Sequence, residues 1–242
     1  MKVGSNKSNK KSPNSKDSNL YEDLLSLTGI GPKKVEELIA AGIKSLDDIK
    51  STKFSYMVPE ETVLDVKFEL YKEFTRDDIT PFVRKLPDEL VPVGGYRRKK
   101  PKMKDLDLLT CMELQTAAEL VENLPGVKIM HKYRLGNKVS SMVVNNDGVV
   151  FKVDIFKTTN ISYPFALLHF TGDKIFNIKN RKLAKKKGYH LNEKGIWKAK
   201  ESKYYFLADA IKGLNNEKDI LAFLGVEYKE PPERSYLALG IK

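Results

Sequence analysis

The chain has 242 residues, with 43 Lys and Arg against 32 Asp and Glu, a formal charge of +11 and a pI near 9.4. That length accommodates a small helical region and a larger mixed domain, each with its own core, and the charge points to a polyanionic partner, nucleic acid first and anionic membrane surfaces second. No apolar stretch approaches the roughly 18 residues of a membrane span, Met1-Lys2-Val3-Gly4 does not open a secretory signal, and one cysteine, Cys111, excludes an internal disulfide and reads as small packing beside the Asp strand, so the expectation is an intracellular chain without membrane association.

Residues 1–19 hold five lysines and one acid among Ser, Asn, Gly and Pro, with Met1 and Val3 as their apolar content. This composition cannot anchor a core and reads as a disordered basic tail. From residue 20 to 86 the pattern is helical. A short helix is expected over Tyr21–Leu27, then a tight turn at Thr28-Gly29-Ile30-Gly31, then a helix from Pro32 to Ala41 closed by Gly42. Proline at the first helical position loses no hydrogen bond, and glycine past the last one tolerates the left-handed backbone. Ser45 with Asp48 three positions later has the form of a capping box opening another helix. At the turn, two glycines expose backbone amides, Gly31 is expected to sit in backbone too tight for a side chain, and the following helix start favours an anion beside Lys33 and Lys34.

From Pro87 onward helices and strands mix. Gly94-Gly95-Tyr96-Arg97-Arg98 reads as a glycine turn followed by two guanidinium groups, which suits phosphate oxygens. In Asp105-Leu106-Asp107-Leu108 an extended strand sends both carboxylates to one face and both leucines to the other. Helical spacing marks 113–123. Strands at 139–144 and 149–156 are joined by Asn145-Asn146-Asp147-Gly148, a hairpin signal. On the second strand Asp154 shares a face with Lys152 and Phe156, so a third carboxylate can reach the first two. Three such groups repel unless cations neutralise them, and hard carboxylate oxygens suit Mg²⁺. Two metals about 4 Å apart are the arrangement used for phosphoryl and nucleotidyl transfer. Helices are expected over 181–187 and 219–224, and basic runs at 97–104 and 179–187 flank the acidic site and suit phosphate contact. His131 and His190 carry no ligand pattern and read as surface or packing positions.

Leu27-Thr28-Gly29-Ile30-Gly31-Pro32-Lys33-Lys34-Val35 resembles a helix-hairpin-helix. The ordered series Gly94-Gly95-Tyr96-Arg97-Arg98, Asp105-Leu106-Asp107, Val153-Asp154-Ile155, His169-Phe170-Thr171-Gly172-Asp173-Lys174-Ile175-Phe176-Asn177, Arg181, 187–193 and 217–234 resembles the family X, polymerase-β-like DNA polymerases over about residues 21 to 235. The resemblance implies an α+β fold: a tail at 1–19, a helix-hairpin-helix DNA-binding region at 20–86, a nucleotidyltransferase palm at 87–157 and a nucleotide-selection subdomain at 158–242. It implies Asp105, Asp107 and Asp154 as catalytic ligands of two Mg²⁺, with Mn²⁺ able to substitute. Gly94, Gly95, Arg98, His169, Phe170, Gly172 and Asn177 would bind the incoming nucleotide. Gly29, Gly31, Lys33, Lys34 and Arg181 would bind DNA, and the carbonyls of Leu25, Leu27 and Ile30 would hold Na⁺ or K⁺. Arg97 stands aside as a structural candidate. Gly95 occupies a position where the family usually has serine, and His169 one where tyrosine is common.

The implied activity is template-directed addition of deoxynucleotides to a primer 3′-hydroxyl, filling short gaps in repair, by a monomer whose partners are gapped or primer–template DNA and dNTPs. With 20 residues ahead of the hairpin, the lyase function of longer family members is expected to be missing. Two alternatives share the fold: a template-independent nucleotidyltransferase, against which Asn177 and Arg181 argue, and a non-catalytic DNA-binding scaffold, against which the intact aspartates argue.

Overall fold

The computed structural model describes residues 15–133, 136–198 and 213–234. Most of the expected basic tail, residues 1–14, lies outside the described residues. The chain divides into two compact units, Met1–Tyr71 and Lys72–Lys242.

The first unit is helical. Helix α1 spans Ser15–Leu25 and so begins inside the stretch read as tail, ahead of the expected Tyr21; Leu20, Tyr21 and Leu24 pack into the core and carry the preceding turn with them. Helix α2 spans Pro32–Ala40 with Pro at its start, and Gly42 follows it at φ +90°. Ser45 and Asp48 form the capping box, which opens a 3₁₀ turn over Leu46–Lys50 rather than a full helix. Helix α3 (Thr52–Ser55) and helix α4 (Glu60–Lys67) complete the unit around Leu24, Leu27, Val35, Leu38, Ile49 and Val66. The turn between α1 and α2 is fastened to α4 by two hydrogen bonds. Thr28 N–H donates to Asp65 Oδ2 at 2.7 Å, and Thr62 Oγ1 donates to the Thr28 carbonyl at 2.7 Å. The glycine under constraint is Gly29, at φ +77° with Pro59 Cγ 3.0 Å from where a Cβ would stand. Gly31, at φ −105°, has open space around it, which corrects the expectation placed on it.

In the second unit, strand β1 (Phe74–Thr75) and helix α5 (Arg76–Val83) precede strand β2 (Val91–Pro92). The unit starts at Lys72 rather than at 87 because Phe74, Ile79 and Phe82 bury against Leu106, Leu108 and Phe151. One helical turn, α6, covers Gly94–Arg97, where a glycine turn was expected. Strands β3 (Lys102–Met103) and β4 (Asp105–Thr110), helix α7 (Leu114–Glu122) and strands β5 (Val127–Lys132), β6 (Val139–Asn146) and β7 (Val149–Lys157) follow. Among the described residues the main sheet has the order β2-β4-β7-β6-β5, with β4 and β7 parallel and the other pairs antiparallel. The β6–β7 loop is two residues, Asp147 at φ +54° and Gly148 at φ +95°, tighter than the four expected; positive φ at both central positions matches the right-handed twist of a hairpin.

One face of this sheet buries Leu106, Leu108, Met142, Val144, Phe151, Val153 and Ile155 against α5 and α7. The chain then runs through helix α8 (Tyr163–Thr171), helix α9 (Lys174–Lys186), the hairpin of β8 (Tyr189–Asn192) and β9 (Gly195–Lys198), helix α10 (Glu217–Leu224) and a 3₁₀ turn at Pro231–Arg234. Helix α9 is longer than the expected 181–187 because Asp173 caps its start, its side chain accepting from Phe176 N–H at 2.9 Å. Phe165, Leu168, Phe176, Ile196, Ile220 and Leu224 form the core of this part. No helix among the described residues is long and apolar enough to cross a membrane.

Candidate active site

The face of the sheet turned away from α5 and α7 carries the acidic residues. Parallel pairing sets Asp107 opposite Asp154 in register, and the two-residue repeat of β4 adds Asp105 to the same side. A ligand oxygen from each of the three carboxylates lies within 4.8 Å of the others. Loss of hydration on burial, then repulsion by Asp105 and Asp154, pushes the Asp107 carboxyl up to about 7, and Arg98 and Lys152 oppose this. The same two causes, burial and Asp154, raise Asp105. Asp154 is held by two neighbours on its own face: Ser141 Oγ donates to Oδ1 at 2.5 Å, and Lys152 Nζ lies 3.2 Å from Oδ2.

These three aspartates fit a hard divalent cation by chemistry as well as by spacing. They are all-oxygen donors, burial and mutual repulsion raise the Asp107 carboxyl for want of positive charge, and a cation relieves that. A pH dependence follows. With its folded-state value raised above its ordinary 3.8, Asp107 favours the fold at low pH, and that contribution is lost as pH rises from about 4 to about 7. Thermal unfolding of wild type and Asp107→Asn in chelator, compared between pH 5 and pH 8, should show the variant gaining on wild type as pH rises. A constant difference would mean the carboxylates do not strain one another.

Beside the aspartates is a cavity of about 660 Å³. Gly94, Gly95, Arg98, Asp105, Asp107, His169, Phe170, Gly172, Asn177 and Arg181 all line it, so every nucleotide-binding candidate and Arg181 meet in one place. Gly94 is required there: at φ +54°, a Cβ would collide with the Asp107 carboxylate. Arg98 Nη1 donates to the Thr171 carbonyl, while its Nε is buried without a hydrogen-bond partner among the described residues. An unsatisfied buried guanidinium donor beside carboxylates is costly alone and suits an anionic ligand. Gly172 ends α8 at φ +64°, with Arg98 Nη1 3.2 Å from where its Cβ would be. Phe170 stacks on Phe156 at 4.2 Å between ring centroids. Asn177 Nδ2 donates to the His169 carbonyl at 2.7 Å. Arg181 Nη2 lies 3.0 Å from His169 Nδ1, and since arginine only donates, Nδ1 is the accepting nitrogen. Burial first and the Arg181 charge second hold His169 below its ordinary value, in its neutral form.

The remaining candidates lie in the first unit. Lys33 is exposed, Lys34 pairs with Glu37 at 2.5 Å, and the Leu27 carbonyl accepts from Ile30 N–H at 3.4 Å. Cys111 is exposed in the turn after β4, where packing was expected.

Sequence reasoning missed several residues. Ser141 reaches Asp154 only through the β6–β7 register, which no local pattern announces, whereas Lys152 was visible two positions before Asp154. Glu73 also lines the cavity, beside Lys100, Lys102 and Lys104 of the basic run expected to flank the site. Arg97 points away from it and pairs with Glu217, Nη2 to Oε2 at 2.7 Å.

Comparison with known proteins agrees with this geometry. Residues 166–235 match the DNA polymerase beta thumb family and residues 21–65 the SAM-like helix-hairpin-helix tandem family. Repair DNA polymerase X from the Tick/Malawi isolate of African swine fever virus is 26% identical over 156 residues, covering 63% of this chain and 84% of the relative. The protein of the same name from the Warthog/Namibia isolate is 27% identical over 156 residues with the same coverage. These matches support a family X DNA polymerase in reduced form. In this chain the thumb match begins within α8 and takes in α9, the β8–β9 hairpin and α10, so it supplies Phe170, Gly172, Asn177 and Arg181, while the carboxylates come from the sheet before it.

Proposed function

We propose that this chain is a template-directed DNA polymerase that fills short gaps during repair, and that the cavity beside Asp105 and Asp107 is its nucleotide site. The observation that carries this is the convergence of three carboxylates beside one cavity, which is lined by two of them, Asp105 and Asp107, by half-buried Arg98 with its buried, unused Nε, and by Phe170 and Gly172. Asp105, Asp107 and Asp154 would hold two Mg²⁺, or Mn²⁺ in their place, which when bound supply positive charge for the attacking and leaving oxygens.

The chain's own groups do the rest. Arg98 and the backbone amides at Gly94 and Gly95 hold the triphosphate. Phe170 and Gly172 frame the sugar, and Asn177 faces the base edge. Arg181 meets the template side, and its bond to neutral His169 fixes the ring beside the sugar. Asp154, anchored by Ser141 and Lys152, stands where the primer 3′-hydroxyl approaches. The 3′-oxygen attacks the α-phosphorus in line, the bond to the β-phosphate oxygen breaks, and pyrophosphate leaves. In the first unit, Gly29, Gly31, Lys33 and Lys34 would take backbone phosphate, which positions DNA without reading its sequence. The carbonyls of Leu25, Leu27 and Ile30 complete this reading as a Na⁺ or K⁺ site, and the active species is a monomer inside the cell.

Primer extension on gapped, recessed and single-stranded substrates tests the assignment. Templated addition on the first two is expected. Untemplated addition on the third would favour the terminal-transfer reading, and no addition on any would leave a scaffold. The hairpin has its own test. Gly29→Val puts a branched side chain at φ +77° against Pro59 and should weaken gapped-DNA binding several-fold for all sequences, while Gly31→Val changes it little. Unchanged DNA affinity in Gly29→Val would show the turn to be only a connector.

A further inference from the structure

Strands β1 and β3 add a wall to the cavity beside the aspartates. Their register pairs Phe74 with Met103 and Thr75 with Lys102. Phe74 and Met103 are buried in the main core, and the two-residue repeat turns Glu73, Lys102 and Lys104 the other way, where all three line the cavity together with Lys100. This wall abuts the glycines assigned to the triphosphate: a Cβ on Gly95 would stand 3.5 Å from Lys100 Cδ and 3.6 Å from Met103 Cβ. Of the acids lining the cavity, Asp105 and Asp107 belong to the carboxylate set and Asp173 caps α9. Glu73 does neither. It is exposed, and among the described residues its carboxylate forms no ion pair.

We infer that Glu73 weakens the hold of this lysine wall on inorganic pyrophosphate and so speeds the departure of the product. The inference rests on the polymerase reading above and deepens it. Lys100, Lys102 and Lys104, next to Arg98, concentrate positive charge where the β- and γ-phosphates of the nucleotide lie. That charge holds substrate and product alike, and a product held too firmly blocks the next dNTP and drives the reverse reaction. In that reaction an oxygen of pyrophosphate attacks the phosphorus of the last phosphodiester, the bond to the primer 3′-oxygen breaks, and a dNTP leaves. One carboxylate on the same wall opposes the lysines without being locked to any of them. A dNTP keeps the contacts of its sugar and base at Phe170, Gly172 and Asn177, whereas pyrophosphate has only the phosphate end, so the repulsion falls on a larger share of product binding. Across a wet cavity one like charge at about 5–10 Å changes anion affinity by a factor of about three to five, and salt screens it. Glu73 acts on the product through charge and takes no part in bond making.

The test uses the full chain extending a primer across a gap in Mg²⁺, with inorganic pyrophosphate added. Glu73→Gln should lower the pyrophosphate concentration for half inhibition about three- to fivefold and speed pyrophosphorolysis at low pyrophosphate by a similar factor. The KM for dNTP should fall with it, and each of these changes should shrink as KCl is raised from about 0.05 M to about 0.5 M. Glu73→Lys should exceed Glu73→Gln, and Lys102→Gln should move pyrophosphate inhibition the opposite way. A merely structural role cannot give this pattern, since damage to the wall loosens anion binding and does not tighten it. Failure of wild type to extend any primer would overturn the polymerase reading. Extension by wild type, with pyrophosphate inhibition unchanged or weakened in Glu73→Gln, would overturn the role of Glu73 alone.

Discussion

Replacing Asp154 with asparagine is expected to reduce nucleotide addition by a factor on the order of a thousand and to leave the fold and DNA affinity nearly intact. Asparagine keeps the shape and an oxygen able to accept from Ser141, so the side chain remains anchored. What disappears is the charge. Lys152 loses an ion-pair partner, but that pair is partly solvated and contributes roughly 0–1 kcal/mol. The remaining carboxylates lose one repelling neighbour, which eases the strain that raises Asp105 and Asp107. At the reaction centre the loss falls on the transition state. Removing one preorganised electrostatic contact from developing charge costs about 10²–10³ in rate, and a charged metal ligand is worth at least that much. Single-turnover addition on a gapped duplex, with anisotropy on the same duplex, separates the two effects. Turnover within about tenfold of wild type would remove Asp154 from the site. A parallel loss of DNA binding would mean that the substitution acts through the sheet.

The aspartates were legible in sequence because their signal is local. A two-residue repeat fixes which face Asp105 and Asp107 share, and the same repeat sets Lys152 beside Asp154. The hairpin that carries Asp154 was equally visible, since Asp147-Gly148 supplies positive φ where the chain reverses. Long-range register was not legible. Ser141 touches Asp154 only because β6 and β7 pair with a two-residue loop, and a four-residue loop would have set a different neighbour there. Burial misled at two places in the second unit. Residues 72–86 read as part of the helical region because α5 is an ordinary amphipathic helix, and nothing in its spacing says that Phe82 meets Phe151. Cys111 read as packing from its neighbours, yet it lies in the turn after β4, where the chain leaves the core. Gly31 read as the strained glycine from its motif position, but conformation is set by what stands opposite, and Pro59 stands opposite Gly29.

The largest expected loss of stability comes from a residue that makes no contact with the aspartates. Glu217 is buried at the start of α10 and gathers two guanidinium groups: Arg97 of α6 through bonds of 2.9 and 2.7 Å, and Arg234 of the last 3₁₀ turn at 2.5 Å. Arg234 is fully buried, lies between the rings of Phe176 and Tyr228, and has an Nη2 with no hydrogen-bond partner among the described residues. Burial alone would raise the Glu217 carboxyl, but the hydrogen bonds from Arg97 and Arg234 prevail and hold it below its ordinary value. Glu217→Gln removes the anion and leaves both cations, one of them with no route to solvent. Breaking a buried pair in this way costs about 3–5 kcal/mol. For a chain of this size that is a fall in Tm on the order of 10 °C. The sign of the pH dependence follows from the lowered carboxyl. Its contribution is present above pH 4.5 and is lost as pH falls through the lower folded-state value, so the gap between wild type and variant should be widest near neutrality and close in acid. Because Arg97 and Arg98 both hydrogen-bond to Thr171, one through its hydroxyl and the other through its carbonyl, loosening Arg97 should also raise the KM for dNTP. Arg97→Met, which leaves Arg234 paired, should raise that KM comparably and cost much less stability. Calorimetry at pH 7 and pH 4 on the two variants decides the matter: a Tm for Glu217→Gln within about 2 °C of wild type at pH 7 would show that the buried charges are solvated after all.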